Sequence, residues 1–175
     1  MIALPELLEL LNSKYLNKYN AIIIGGFEEP FYKAPVKHKS AEIQFSYDYI
    51  RSALHELAHW CVAGVERRKK DDYGYWYASD GRNQQQQNEF FQVEIKPQAI
   101  EWAFSIMCGV KFEPSIDNLH NSVIGVDEFK NNVFDQLNYY LDIRFNPRTA
   151  ELIHVLAKHQ NITSPIKFIQ NSINH

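Results

Sequence analysis

Two histidines stand four positions apart in the stretch His55-Glu56-Leu57-Ala58-His59, which is an H-E-x-x-H motif. Residues four apart lie on the same face of an α-helix, so the imidazoles of His55 and His59 can bind one divalent metal ion. Glu56 points to a neighbouring face, and we expect it to act as a catalytic group beside the ion rather than as a ligand. The motif also occurs by chance in helices, so the surrounding elements must support this interpretation.

Apolar residues at helical spacing predict that the motif lies on a helix. The stripe consists of Ile50, Leu54, Leu57, Trp60 and Cys61. Ser46 and Asp48 offer capping groups before this helix, and Gly64 is a residue type that commonly follows a helix end. We therefore expect a zincin-like helix that begins after Asp48 and ends near Gly64.

A working metal site needs a further protein ligand and positions left open for water or substrate. A second helix, predicted from apolar spacing over Phe90 to Val110, supplies the candidates. Glu94, Gln98 and Glu101 can lie along one face of that helix. Glu94 is the favoured ligand, Glu101 is the alternative and Glu89 is a third candidate, because the residues alone do not choose between adjacent turns.

Two histidines and one carboxylate have two different chemical meanings. If the ion is zinc(II), Glu56 polarises a bound water as general base and the protein is a metallopeptidase. If the ion is iron(II), the same three ligands leave an open face for dioxygen and the protein is an oxygenase. The ligand types alone leave both alternatives open.

The remaining patterns indicate more helices and a few strands. Helices are predicted over residues 4–18, 126–143, 147–159 and 164–173, strands over 21–24 and 41–45, a strand-like aromatic run over 73–77, and irregular chain over 28–35. We therefore expect an α+β fold that is mostly helical, with a small sheet and a metal site between two helices. Residues 1–175 are expected to form a single domain.

The composition limits the classes of partner. A formal net charge of −3 argues against direct binding of nucleic acid by bulk electrostatic attraction. No apolar run approaches the ~20 residues that span a bilayer, and residues 1–16 have the pattern of an amphipathic helix rather than of a signal peptide. We expect a cytoplasmic monomer that binds neither nucleic acid nor membrane.

Four motifs occur in one order along the chain. They are HELAHWCVAG over residues 55–64, YGYWY over 73–77, DGR over 80–82 and VEIKPQA over 93–99. In this order they resemble the bacterial elongation factor P hydroxylase family, and the resemblance includes the region of Glu29, Pro30 and Tyr32. Together they are far more specific than the H-E-x-x-H motif alone.

The resemblance implies an enzyme that hydroxylates a lysine of the translation elongation factor P, after that lysine has received a β-lysyl group. The family's two-histidine, one-carboxylate centre would use dioxygen on a scaffold distinct from the jelly-roll dioxygenases. Carried over by position, the metal ligands are His55, His59 and Glu94. The cofactor implied is iron(II), with zinc(II) as the alternative.

We expect the substrate-binding residues to be Tyr75, Trp76, Tyr77, Asp80, Arg82 and Gln98, which all lie in the matched motifs. The aromatic side chains are expected to grip the aliphatic stem of the lysine and to contact an ammonium group through their ring faces. Asp80 is expected to pair with the same ammonium group. Glu56 is expected to orient a water or ligand beside the metal.

Overall fold

The computed structural model describes residues 1–74, 82–116 and 124–174. The helices are α1 (Leu4–Lys14), α2 (Ile50–Val62), α3 (Gln84–Cys108), α4 (Val126–Asp142), α5 (Pro147–His159) and α6 (Pro165–Ile173), and the strands are β1 (Ala21–Phe27), β2 (Phe31–Lys33) and β3 (Ala41–Ser46). Short 3-10 turns cover Leu16–Tyr19, Arg67–Lys69 and Asp71–Gly74. The fold is therefore α+β and mostly helical, as predicted.

The strands form one sheet in the order β1-β3-β2. β1 runs parallel to β3, with Ala21 opposite Ala41, and β2 runs antiparallel to β3, with Tyr32 opposite Ile43. The predicted strands at 21–24 and 41–45 are confirmed. The irregular chain predicted over 28–35 is wrong for β2, because this short strand is specified by distant partners and not by its own pattern.

Those partners lie on β3 and on a turn 40 residues further along the chain. The backbone amide of Tyr32 donates to Asp72 Oδ1 at 2.9 Å, and the amide of Ala34 donates to Asp71 Oδ1 at 2.8 Å. Tyr32 also donates its hydroxyl hydrogen bond to the carbonyl of Arg68 at 2.9 Å. β2 is thus joined on one side to the sheet and on the other to the turn that follows α2.

Helix α2 lies between the sheet and α3. It packs on β3 on one side and on α3 on the other, while α4 covers the far side of α3 and α5 contacts both central helices. Helix α1 packs against β1. The buried apolar side chains of these elements form one core cluster. Among the described helices, none combines the length and apolarity needed to cross a bilayer.

Helix α2 is buried on most of its surface, which explains its apolar stripe. Its fully buried residues are Ala53, Leu54, Leu57, Ala58, Trp60 and Cys61. The predicted capping role of Ser46 and Asp48 is wrong, since the residue that precedes the helix is Tyr49 and no side chain caps it. The hydroxyl of Ser52 instead accepts a hydrogen bond from the amide of Ser46 at 3.0 Å.

Helix α3 begins earlier than predicted, at Gln84 rather than Phe90. Asn83 and Gln86 form a capping box, in which each side chain accepts a hydrogen bond from the other residue's backbone amide. The glutamine-rich stretch therefore belongs to the helix. Pro97 lies inside α3 and neither starts nor ends it. This long helix carries all three candidate glutamates.

Asn12 on α1 provides a prediction about stability. Its Nδ2 donates to the carbonyl of Ile23 at 3.1 Å and its Oδ1 accepts from the Ile23 amide at 2.8 Å. Asn12→Ala leaves both backbone groups without these partners, so we expect the free energy of unfolding to fall by about 1–3 kcal/mol. Urea denaturation measures this change. The exposed Ser13→Ala should lie within about 0.5 kcal/mol of the wild type, and equal stability of the two variants would contradict the prediction.

Candidate metal centre

Three side chains from α2 and α3 bring their donor atoms together. The Nε2 atoms of His55 and His59 are 3.1 Å apart, which matches the expected position of two residues one helical turn apart. Glu94 lies opposite, with Oε1 at 3.1 Å from His59 Nε2 and Oε2 at 3.7 Å from His55 Nε2. The histidines come from α2 and the carboxylate from α3, so the cluster spans the interface of the two helices.

The separations between donor atoms fit a single metal ion. Two ligand atoms at about 2.1 Å from one ion lie about 3.0–3.4 Å apart in octahedral or tetrahedral geometry. The three donor atoms of His55, His59 and Glu94 all lie within 4.8 Å of one another. These residues can therefore hold a divalent cation with small adjustments of their side chains.

Glu101 occupies a different place from Glu94. Its Oε2 accepts a hydrogen bond from His55 Nδ1 at 2.8 Å, on the side of the imidazole that faces away from the Nε2 pair. This contact keeps a proton on Nδ1, so Nε2 is the nitrogen at which a cation can replace the second proton of the ring. The geometry thus places Glu94 among the candidate ligands and Glu101 behind one of them.

Sequence spacing gives the face of α3 on which Glu101 lies, but not its partner. Glu94 and Glu101 are seven residues apart, so they lie on the same face of α3 two turns apart. The later glutamate contacts the earlier histidine, and the earlier glutamate lies nearest the later histidine. What the sequence lacked was the relative position of the two helices, which decides which turn of α3 meets the Nε2 atoms.

The cluster is sheltered but open to small molecules. The side chains of His55 and His59 are 25% and 18% exposed, whereas that of Glu94 is 4% exposed. The carboxylate is therefore the inner wall of the site and the imidazoles are its outer wall. Water or a substrate can reach the histidine side of the centre.

The electrostatics of the cluster follow from burial and pairing. Burial alone would lower the pKa of His55, but the hydrogen bond and charge of Glu101, together with the charge of Glu94, raise it to about 10. Burial alone would raise the pKa of Glu94, but the charge and hydrogen bond of His59, followed by the charge of His55 and the hydrogen bond from Gln98, lower it to about 2. The charged form of the Glu94 carboxylate is thus stabilised by the positive charge of the neighbouring imidazoles.

Glu56 lies beside the cluster without joining it. Burial raises the pKa of its carboxyl group, and the nearby charges of His55 and His59 oppose that increase. Glu56 is not among the three residues whose donor atoms converge. Its place agrees with the expectation that it acts next to a metal ion, and its catalytic role stays a prediction.

The predicted substrate-binding residues have different outcomes. Tyr75, Trp76, Tyr77 and Asp80 lie outside the described residues. Gln98 is fully buried, and its Nε2 donates to Glu94 Oε2 at 3.2 Å and to the carbonyl of Ser115 at 2.8 Å. This contact of Gln98 with a candidate metal ligand was not predicted from the sequence.

Arg82 is also buried. Its Nε donates to Gln87 Oε1 at 3.3 Å, and its guanidinium group lies 4.1 Å from the centre of the Phe90 ring. It is thus attached to the first turns of α3. The substrate-binding roles of Arg82 and Gln98 stay predictions.

The different positions of the two glutamates predict different effects on metal affinity. Glu94→Ala should abolish binding of one equivalent of metal, because it removes a candidate ligand. Glu101→Gln should weaken binding by about 10–100-fold, because an outer partner of a ligand is lost. Anaerobic titration with iron(II) or cobalt(II) measures both. The exposed Glu89→Gln on the same helix is the control, and metal binding by Glu94→Ala at the control's affinity would exclude this centre.

Comparisons with known proteins agree with the motifs. Residues 10–169 match the family model described as elongation factor P hydroxylase. The elongation factor P lysine hydroxylase of Haemophilus influenzae is 38% identical over 151 residues, which cover 86% of this chain and 84% of that relative. All four motifs and the three converging side chains lie within the matched residues. The chain therefore belongs to the elongation factor P hydroxylase family, and it is an enzyme of the hydroxylase class.

Proposed function

We propose that this protein uses dioxygen to hydroxylate the β-lysylated lysine of elongation factor P, at an iron(II) centre held by His55, His59 and Glu94. One observation carries the proposal, namely the convergence of two Nε2 atoms and one buried carboxylate in a member of this family. The relative from Haemophilus influenzae is named for lysine hydroxylation of the same factor. The substrate is thus inferred from the family and the chemistry from the site.

The donor set supports iron(II) more than a closed structural metal. Two imidazoles and one carboxylate leave open positions, which is the pattern of non-haem iron oxygenases. When bound, such an ion supplies the activation of dioxygen. One oxygen atom then enters a C–H bond of the lysine, and the other is reduced at the expense of a two-electron donor.

The side chains around the centre have separate tasks in this proposal. Glu101 keeps the proton on His55 Nδ1, so that Nε2 faces the metal position. Gln98 holds Glu94 Oε2 through its side-chain amide. Glu56 orients a water or ligand beside the ion through its carboxylate oxygen.

The modified lysine must bring one methylene group to the open side of the site. In our proposal Tyr75, Trp76 and Tyr77 contact its aliphatic stem and Asp80 pairs with its ammonium group. Arg82, which lies just before α3, contacts the substrate as well in this proposal. In our proposal the protein hydroxylates its substrate as a monomer in the cytoplasm, the compartment in which elongation factor P takes part in translation.

The metallopeptidase alternative uses the same histidines with zinc(II) and takes Glu56 as general base. Family membership supports hydroxylation instead. The two functions are separated by loading metal-free protein with either zinc(II) or iron(II) under air. Cleavage of peptides with zinc(II), without any gain of oxygen on elongation factor P with iron(II), would favour the peptidase.

Glu94→Ala gives a direct test of the proposed activity. We expect it to abolish the gain of one oxygen atom on β-lysylated elongation factor P, because it removes the carboxylate that completes the metal centre. Mass spectrometry of the factor measures the product, and circular dichroism checks the fold. Glu89→Gln should hydroxylate like the wild type. A folded Glu94→Ala protein with full hydroxylation would refute the assignment.

Glu56→Gln separates a role beside the metal from a role as ligand. We expect metal content to stay at the wild-type level, because Glu56 does not converge with the three donor atoms. We expect turnover to fall by about 10–100-fold, as is typical for groups that act around a metal centre. Metal analysis and initial rates measure the two effects. Loss of the metal in this variant would instead make Glu56 a ligand.

A further inference from the structure

A cavity of about 150 Å³ opens beside the metal centre, between α2 and α3. It is lined by His59, Val62, Ala63, Gly64, Arg67, Tyr73, Val93 and Pro97. One water needs only about 10–15 Å³ of such space, and drug-sized ligands need about 300–1,000 Å³. The cavity therefore has the size for a small organic molecule that lies next to a candidate metal ligand.

Tyr73 supplies the strongest sign that the cavity takes a ligand. The residue is only 6% exposed, yet its hydroxyl has no hydrogen-bond partner among the described residues. Buried polar groups in native proteins are almost always hydrogen-bonded, and exceptions commonly await a ligand or water. Because Tyr73 lines the cavity, a bound molecule can provide the missing partner.

The protein holds Tyr73 in an uncommon conformation. Asp72 and Tyr73 are consecutive residues with positive φ, at 45° and 57°. Residues other than glycine rarely adopt this backbone conformation. Several contacts fix this turn in place. The Tyr73 ring stacks on Tyr32 with centroids 4.2 Å apart, and Arg67 donates to the Tyr73 carbonyl at 3.3 Å. Such conformations persist where surrounding contacts impose them, often at ligand sites.

The charge of the lining indicates the class of ligand. Arg67 contributes a guanidinium group that also donates to the Tyr73 carbonyl, and the lining residues within the described part of the chain include no carboxylate. The carboxylate of Glu56 lies outside this lining, and burial together with its charge raises the pKa of Tyr73, which keeps the hydroxyl protonated as a donor. The apolar members of the described lining are Val62, Ala63, Val93 and Pro97. A cation and a phenol donor among apolar walls suit a small organic anion.

We propose that this cavity binds a small organic anion that supplies the two electrons consumed in each hydroxylation. The inference rests on the proposed function, because the reduction of the second oxygen atom creates the need for a donor. A 2-oxo acid would lose carbon dioxide and take up that oxygen atom as the carboxylic acid one carbon shorter. An ene-diolate such as ascorbate would give up two electrons and two protons, and the oxygen atom would leave as water.

Binding and turnover test the two sources separately. 2-Oxoglutarate and ascorbate are each titrated calorimetrically into iron(II)-loaded protein under nitrogen, and their consumption is then measured under air with β-lysylated elongation factor P. We expect one of them to bind and to be consumed once per hydroxylated lysine. Binding of neither anion, or turnover that consumes neither, would overturn the proposal.

Tyr73→Phe removes only the unpartnered hydroxyl and keeps the stacked ring. We expect the Kd and KM of the active anion to rise about tenfold or more, since a hydrogen bond to a charged ligand is lost. We expect the KM for elongation factor P to stay at the wild-type value and the melting temperature not to fall. The exposed Tyr139→Phe on α4 is the control. Equal anion affinity in both variants would show that Tyr73 is only a core residue and would overturn the proposal.

A pair of variants at Val93 tests the sign of the ligand charge. Val93 lines the cavity and is 38% exposed, so it can accept a polar side chain. Val93→Glu should weaken anion binding, whereas the similarly sized Val93→Gln should not, because only the first adds a negative charge. Equal affinities would contradict an anionic ligand.

These measurements also distinguish the two proposals. Anion binding that depends on Tyr73, without any hydroxylation of elongation factor P, would overturn the proposed function and support the anion site. Hydroxylation that needs neither anion and is unchanged by Tyr73→Phe would overturn the anion site and support the proposed function.

Discussion

The contact between Glu94 and the two imidazoles is the constraint on which the rest of the molecule depends. A carboxylate that is almost completely buried is costly unless it is paired, and here its partners stand on a different helix. α2 and α3 must therefore pack in one relative position. A shift of α3 by one turn would place Phe90 or Gln98 against the Nε2 atoms and would leave Glu94 without its partners.

The surrounding structure keeps α2 in that position from both ends. At its beginning, the side chain of Ser52 reaches back to the backbone of β3. At its end, Arg148 from α5 donates to the carbonyls of Cys61 and Ala63 and lies over the Trp60 ring. These contacts satisfy carbonyl groups that a helix end leaves without partners.

The same arrangement explains why the ring of His55 has one orientation. Its Nδ1 donates a hydrogen bond to Glu101, and its Nε2 faces His59 and Glu94. Two carboxylates two turns apart on α3 thus act on opposite edges of one imidazole. A centre built in this way has its geometry set before any cation arrives, which reduces the cost of ordering the ligands on binding.

Local periodicity was enough to predict the helix of the H-E-x-x-H motif, the face of α3 with its glutamates and two of the three strands. It was not enough for β2, whose single buried residue, Tyr32, carries no alternating pattern. The choice between Glu94 and Glu101 also lay beyond local signals, because it depends on how two helices distant in sequence pack. The start of α3 was missed although Asn83 and Gln86 have the spacing of a capping box, a signal that glutamine-rich composition obscured.

The two outer strands of the sheet have consequences for how a protein partner can be recognised. The backbone groups of Ile23 on β1 are taken by the side chain of Asn12, and the outward amides of Tyr32 and Ala34 are taken by Asp72 and Asp71. A strand from another chain would have to displace these carboxylates and this amide before it could extend the sheet. Recognition by β-augmentation is therefore disfavoured, and we expect a protein partner to be recognised by side chains on helices and loops.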